Sequence, residues 1–241
     1  MKTKNIRNLI VYILLILVIV IIFVLICHYI SLNKINSEIE ILQAETPDFN
    51  IIQGLINQNQ PTVFRQVLYG WEPIIHIFDA EMDDINYLLD NNKDFNTDIL
   101  NCLSSYSMFL SFGWEYKFIK KNKGFRDSHF KYQNNYRQLF AQIMGTQRFY
   151  LIHPSQKHLI DSKVIIDENN NKNLVSKTNF WNKNETSLSP FNKIEYIEII
   201  LREGNILFIP KGWWYLQVYE NDSFIFESIN LSLFSLLNLN I

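Results

Sequence analysis

The hydrophobic pattern divides the chain into a membrane-type segment and a longer body. Residues 9–27 form an unbroken run of nineteen apolar residues near the N-terminus. About 20 such residues span a bilayer as a helix, so the pattern predicts a transmembrane helix at 9–30, preceded by a short tail at 1–8. A cleavable signal peptide is the alternative, but signal peptides have apolar stretches of about 7–15 residues followed by a small-residue cleavage site.

The body shows alternating and short apolar runs that predict strands. After a polar stalk at 31–48, a short helix is expected from Phe49, and a strand follows Gln60. Residues 139–153 alternate about Gly145, which predicts a pair of strands. The same patterns predict a strand at 105–119, helices at 80–89 and 231–239, and strands at 195–202, 205–209, 215–219 and 224–229.

The interval at 161–193 is polar and rich in Asn and Lys. Few apolar residues are available there to offset the entropy of ordering, so a long loop or insertion between strands is expected. Many short strands separated by turn residues favour a closed or sandwich-like all-β architecture. The sequence therefore predicts one mainly β domain at 49–241, a barrel or jelly roll with flanking helices.

Charge and composition limit the classes of binding partner and the cellular location that can be expected. The formal net charge is −2 and no basic stripe is present, which argues against nucleic acid as a partner. Basic residues before the apolar run and acidic residues after it predict a cytoplasmic N-terminus and a lumenal or extracellular domain, in a cellular, host or virion membrane. Sequons at Asn184, Asn221 and Asn230 are compatible with glycosylation on that side.

The two cysteines, Cys27 and Cys102, do not form a disulfide framework. Abundant Ile, Asn and Lys with only three alanines resemble the output of an AT-rich genome, as in giant DNA viruses and some protists.

Two segments resemble a known family. The segment from Gly204 through Ile-Pro210 to Trp213-Trp214-Tyr215 is similar to the strand pair "G-D-hydrophobic-I-P-x-x-W-W-H" of the Jumonji C and cupin-like 2-oxoglutarate oxygenases, and residues 138–154 are similar to the family's "Q-hydrophobic-x-G-x-K" strand pair. The resemblance implies a double-stranded β-helix. Its framework positions are Gly145, Pro154, Gly204, Pro210, Trp213 and Trp214.

The family's iron ligands, two histidines and a carboxylate, fall on other residues here. A gap-free alignment places them at Tyr132, Asn134 and Tyr215, and the lysine that binds the oxoacid falls on Gln147. A phenol must lose a proton of pKa near 10 to become a good ligand, and an amide brings no charge. A three-residue insertion after Asn135 instead makes His129 the first ligand, with Lys131 in the carboxylate position.

These substitutions lead to three functional hypotheses. The first is a membrane-anchored, catalytically inactive domain that holds no metal or cofactor and acts as a binding or scaffold module for another protein or a glycan. The second is an active protein hydroxylase using Fe(II) and 2-oxoglutarate with an altered site built around His129. The third is a structural protein of a virion or organelle envelope.

Overall fold

The fold was analysed in a computed structural model that describes residues 2–32, 34, 36, 39–47, 49–68, 111–135, 137–166, 172–188 and 190–232. The predicted helix at 80–89, the predicted strand before 111, Cys102 and the chain after 232 lie outside the described residues. The chain forms two compact units, residues 1–34 and 35–241, which are described separately.

The first unit is a single helix, α1 (Lys2–Leu32). Its segment Ile10–Cys27 has a mean hydropathy of 3.8 and is not buried against the protein. Because every face of this segment is apolar, the helix is long and apolar enough to cross a membrane.

The second unit is mainly β, as predicted. It contains twelve described strands in two six-stranded sheets. In chain order the elements are β1 (Leu42–Glu45), α2 (Phe49–Ile56), β2 (Thr62–Arg65), β3 (Ser111–Lys121), β4 (Lys131–Tyr132), β5 (Arg137–Met144), β6 (Thr146–Ile152), β7 (Ser162–Ile166), β8 (Lys172–Ser176), α3 (Lys183–Thr186), β9 (Tyr196–Arg202), β10 (Ile206–Pro210), β11 (Trp214–Tyr219) and β12 (Ser223–Ser232).

The order of the strands is that of a jelly roll. Sheet 1 has the order β1-β2-β10-β5-β12-β3, and sheet 2 has the order β7-β8-β4-β11-β6-β9. From β3 onward the chain repeatedly crosses from one sheet to the other, so consecutive parts of the chain face each other across a common interior. This arrangement confirms the predicted double-stranded β-helix.

Hydrophobic side chains form three layers around these sheets. One layer packs α2 against the outer face of sheet 1. A second lies between the sheets and contains residues of both, such as Phe140 and Phe149, whose ring centroids are 5.0 Å apart. A third covers the outer face of sheet 2. The chain thus has a barrel interior and two outer layers.

The framework glycine and tryptophan positions have clear structural roles. Gly145 connects β5 to β6 at φ +82°, and a Cβ atom there would lie 2.3 Å from the backbone oxygen of Asp222. Trp213 packs in the interior layer and Trp214 in the outer layer of sheet 2. The prediction that the two tryptophans occupy opposite faces is therefore confirmed, as strand alternation requires.

The remaining framework positions lie at turns. Pro210 ends β10 at a buried position and pairs with Arg137 of β5. Gly204 takes φ +83° in the turn between β9 and β10, where its amide donates to the oxygen of Gln142 at 2.9 Å. Pro154 begins the short 3₁₀ segment after β6.

Two segments differ from the sequence prediction. Leu42–Glu45, assigned to the stalk, pairs in parallel with β2 at the edge of sheet 1. The predicted loop at 161–193 contains the β7–β8 hairpin and α3. Its residues Phe180 and Trp181 pack beside Tyr150 on sheet 2, with ring centroids 5.1 and 6.2 Å from that of Tyr150. These few aromatic side chains bury area on an existing sheet, and that burial offsets the entropy of ordering residues 172–188.

Candidate functional site

Tyr215 lies on the inner face of β11, at the position where the family has its last histidine. Its side chain packs in the interior layer and the residue is 8% exposed. The amide Nε2 of Gln138 lies 3.3 Å from the Tyr215 hydroxyl and also donates a short hydrogen bond to the carboxylate of Glu227. Burial, reinforced by the negative charge of Glu227, holds the pKa of Tyr215 well above its usual value. The phenol therefore remains protonated and acts as a hydrogen-bonding group.

The register of β4 places Tyr132 on the opposite face from Tyr215. In the β4–β11 pair, Tyr132 is opposite Trp214, and Lys131 is opposite Tyr215. The ring of Tyr132 packs on Trp214 in the outer layer, with centroids 5.1 Å apart, and burial raises its pKa. Asn134 follows two residues later, after β4 has ended. The gap-free alignment predicts that Tyr132, Asn134 and Tyr215 surround one point, and the structure does not bring Tyr132 and Tyr215 together.

Lys131 in β4 and Gln133 directly after it lie on the same side of the chain as Tyr215. Lys131 forms an ion pair with Asp127, with 2.9 Å between Nζ and Oδ2. Gln133 is buried opposite Trp213. Its backbone N–H donates to the backbone oxygen of Trp213 at 2.8 Å, and its backbone oxygen accepts from the N–H of Gly212. Its side-chain Nε2 lies 3.4 Å from the oxygen of Ile209. Gln133 could not be identified from the gap-free alignment, because a shift of one residue in register exchanges the two faces of a strand.

His129 and His153 make contacts that hold neighbouring segments of the domain together. The Nδ1 atom of His129 lies 3.1 Å from the oxygen of Thr178, so this ring joins the loop before β4 to the chain after β8. His153 contacts Ser155 and the oxygen of Asn36. Among the described residues, no group of three His, Cys, Asp or Glu side chains is placed to hold a metal ion.

Gln147 lies at the start of β6, with a relative exposure of 0%. It is paired with Tyr219 of β11, on the same inner face as Tyr215. Its neighbour Arg148 points outward and forms ion pairs with Glu198 and Glu220. The position that the family resemblance gives to an oxoacid-binding lysine therefore holds a buried neutral amide, and the adjacent arginine is committed elsewhere.

The interior carries polar groups that the sequence analysis did not single out. Gln138 on β5, Gln217 on β11 and Glu227 on β12 are each buried, with relative exposures of 2, 5 and 5%. In each strand these residues alternate with residues of the outer layers. The alternation of two faces, with a period of two residues, was therefore visible in the sequence. Which of the two faces was the interior was decided only by the pairing of the strands.

Two cavities lined by described residues lie away from this interior. One of about 270 Å³ is on the outer side of sheet 2, between the sheet and the chain after α3, where Phe180, Phe191 and Tyr196 line it. Another of about 420 Å³ lies at the hairpin of residues 120–125.

The sequons differ in their surroundings. Asn184 in α3 and Asn221 in the turn after β11 are exposed, as glycosylation requires. Asn230 is a strand residue of β12, with backbone partners in both β3 and β5.

Comparison with known proteins agrees with this architecture. Residues 118–231, which run from β3 to β12, match the model of the cupin-like domain family. A 100-residue stretch, 42% of the chain, is 33% identical to the arginine-specific demethylase JMJ20 of Arabidopsis thaliana. The chain spans about 20% of the length of that protein. Residues 118–231 are therefore similar to a cupin-like domain, and part of the chain is distantly similar to a JmjC-type demethylase.

Tyr215 and the two residues that share its face, Lys131 and Gln133, do not fit iron and 2-oxoglutarate. A non-haem iron site of this kind uses two histidines and one carboxylate. The corresponding face here offers an ion-paired ammonium, an amide bonded to the backbone and a protonated phenol. A dicarboxylate ligand would meet Gln147 where a cation is needed.

Proposed function

We propose that this chain is a membrane-anchored binding module built on a JmjC-type barrel, and that it does not catalyse oxygenation. The proposal is carried by one observation: the hydroxyl of Tyr215 is buried in a hydrogen-bonded contact with Gln138 at the position of the last iron ligand. Replacing that contact by a metal bond would require deprotonation of a phenol whose pKa is raised by burial.

The neighbouring charges support the same conclusion. Lys131, the residue opposite Tyr215, is a cation whose partner is Asp127. A divalent metal placed between Lys131 and Tyr215 would be repelled by this ammonium group, because like charges at short distance in a partly buried site are unfavourable. Asp127 supplies a carboxylate nearby, but it already balances the lysine.

The anchoring part of the proposal rests on α1. The helix contains eighteen consecutive residues of high hydropathy, none buried in the protein, and basic residues precede them in the sequence. We infer a single-pass anchor with a cytoplasmic N-terminus and with the barrel on the other side of the membrane. Exposed sequons at Asn184 and Asn221 are consistent with that side.

The test is performed on the full-length chain purified in detergent under anaerobic conditions. We expect no stoichiometric binding of Fe(II) and no conversion of 2-oxoglutarate to succinate, with or without added peptide. The His129→Ala variant is the matched control, because the alternative hydroxylase hypothesis gives this histidine an iron-binding role. Turnover in the wild type that disappears in His129→Ala would refute the proposal and support the hydroxylase.

A further inference from the structure

The β7–β8 hairpin carries exposed apolar side chains at one edge of sheet 2. In the described part of this sheet β7 is the edge strand, and β8 meets β4 at one residue pair, Lys131 with Val175. Val164, Ile165 and Ile166 have relative exposures of 61, 45 and 61%. Because they are consecutive, large apolar side chains project from both faces of the strand. A two-stranded ribbon is marginally stable in water, so a further strand along β7 would stabilise it.

The opposite edge of sheet 2 is better protected against pairing with another chain. β9 forms that edge, and its exposed positions, which include Glu198, Ile200 and Arg202, alternate with more buried ones. Glu198 also forms an ion pair with Arg148. Charged side chains and bulges on an edge strand disfavour pairing with other chains. β7 has one charged residue, Lys163, and its register with β8 contains no bulge.

The sequence of β7 is complementary to a second copy of itself. Two antiparallel β7 strands with a two-fold axis at Ile165 place Val164 of each copy opposite Ile166 of the other. The two Ile165 side chains are then opposite each other. One residue further out, Lys163 is opposite Asp167, the residue that follows β7 in the sequence. An apolar centre is therefore flanked at both ends by opposite charges, which favours this pairing.

Neighbouring registers are less favourable. A two-fold axis normal to the sheet passes through a residue, because residues opposite each other point to the same face. An axis at Val164 would set Asp161 against Asp167, and like charges directly opposite each other are destabilising. An axis at Ile166 would set Ile165 against Asp167. The axis at Ile165 alone combines the apolar pairs with the pairs of opposite charge.

We propose that the β7 edge pairs with the β7 edge of a second copy of this chain, which forms an antiparallel four-stranded ribbon with Ile165 on the two-fold axis. Such an interface is isologous, since both copies use the same surface. Two copies held in one membrane have a raised local concentration, which favours a second copy over a foreign strand. In this respect the inference rests on the anchoring part of the proposed function, and it names one partner of the binding module.

The first experiment measures self-association of the full-length chain in detergent by sedimentation equilibrium. It compares the wild type with Ile165→Lys and Ile200→Lys. Ile200 is the matched control, because it is an isoleucine on the opposite edge strand with a relative exposure of 44%, against 45% for Ile165. The wild type and Ile200→Lys should dimerise with the same Kd. Ile165→Lys should raise the Kd about tenfold or more, because each dimer loses an apolar pair and gains two ammonium groups opposite each other.

Charge reversal tests the register in the same assay. Lys163→Asp should weaken dimerisation, because it sets an acidic side chain opposite Asp167. The double variant Lys163→Asp, Asp167→Lys should restore dimerisation, since opposite charges then face each other again.

Cysteine pairing tests the position of the axis. In a chain whose Cys27 and Cys102 are replaced by Ser, Ile165→Cys should form an intermolecular disulfide on mild oxidation. Opposite residues of an antiparallel pair have Cα atoms about 4.5–5.5 Å apart, within the usual range for a disulfide of about 4.4–6.8 Å. Ser162→Cys should not crosslink, because each Ser162 is opposite residue 168 of the other copy and the two cysteines would be about 20 Å apart.

Three results would overturn the inference. The first is a wild type that stays monomeric at every concentration. The second is an equal Kd for the wild type and Ile165→Lys in folded protein, checked by tryptophan fluorescence, which would assign any dimer to another surface such as α1. The third is a disulfide at Ser162→Cys in preference to Ile165→Cys. Iron content is measured separately on the wild type, so failure of this inference is distinguishable from failure of the proposed function.

Discussion

Gln138 and Gln147 are both buried glutamines of the barrel interior, yet their replacement by leucine should change stability in opposite directions. Gln138 donates to the Tyr215 hydroxyl and to the Glu227 carboxylate. Neither amide atom of Gln147 makes a hydrogen bond. Leucine has a similar volume to glutamine, so both substitutions remove the amide without opening a large cavity.

The size of each effect follows from these contacts. A net hydrogen bond contributes about 0.5–1.5 kcal/mol, and one to a charged group about 1.5–3 kcal/mol, so Gln138→Leu should destabilise the domain by roughly 2–4 kcal/mol. An unsatisfied buried polar group costs about 1–3 kcal/mol. Gln147→Leu removes that cost but also the weak contact with Tyr219, so we expect a stabilisation of about 1 kcal/mol.

Urea unfolding of the full-length chain in detergent, followed by tryptophan fluorescence, measures both differences. The exposed Gln58→Leu substitution is the control and should change the free energy of unfolding by less than about 0.5 kcal/mol. If Gln147→Leu destabilised the domain as strongly as Gln138→Leu, the assignment of unpartnered atoms to Gln147 would be refuted.

Three further predictions address the register, a turn and the buried phenols. The triple variant Lys131→His, Gln133→Asp, Tyr215→His should bind Co(II) and show the visible absorption bands of the bound ion. The triple variant Tyr132→His, Asn134→Asp, Tyr215→His should not bind Co(II), because Tyr132 faces the outer layer. Binding by the second variant alone would contradict the register of β4. Gly145→Ala should be much more destabilising than Gly124→Ala, since both glycines have positive φ but only at Gly145 would the new Cβ lie 2.3 Å from another atom. For Gly124→Ala, the φ strain alone should cost about 1–2 kcal/mol. Thermal unfolding compares the two variants, and equal losses of stability would contradict the close approach at Gly145. The raised pKa values of Tyr215 and Tyr219 mean that the unfolded chain loses these phenolic protons first. Their contribution to stability should therefore be fully present below pH of about 10 and fall above it. In urea unfolding measured against pH, the alkaline fall should be smaller for Tyr215→Phe, and an unchanged profile would show that Tyr215 does not contribute.

Much of the fold was predictable because it depends on patterns that strands impose locally. The apolar runs and turn residues located β5, β6 and β9–β12 to within a few residues, and alternation placed Trp213 and Trp214 on opposite faces. The edge strand Leu42–Glu45 was missed because its four residues, of alternating partial exposure, carry too little apolar signal. The β7–β8 hairpin was missed because its strand residues 163–166 are exposed on both faces.

The site was less predictable than the fold. β4 has only two residues, and polar or aromatic residues occupy both of its faces, so composition could not set its register. The alignment without gaps placed Tyr132 inward, whereas pairing with Trp214 places it outward. The glutamines of the interior were visible as alternating positions, but which of their amide atoms have hydrogen-bond partners depends on neighbours from other strands.

The central claim is that this cupin-like barrel does not hold iron, and the stoichiometry of Fe(II) binding tests it most directly. The full-length wild type and the Lys131→His, Gln133→Asp, Tyr215→His variant are equilibrated anaerobically with Fe(II), freed of unbound metal and analysed for iron. We expect close to zero bound iron per chain for the wild type and a higher iron content per chain for the variant. One tightly bound iron per wild-type chain would contradict it.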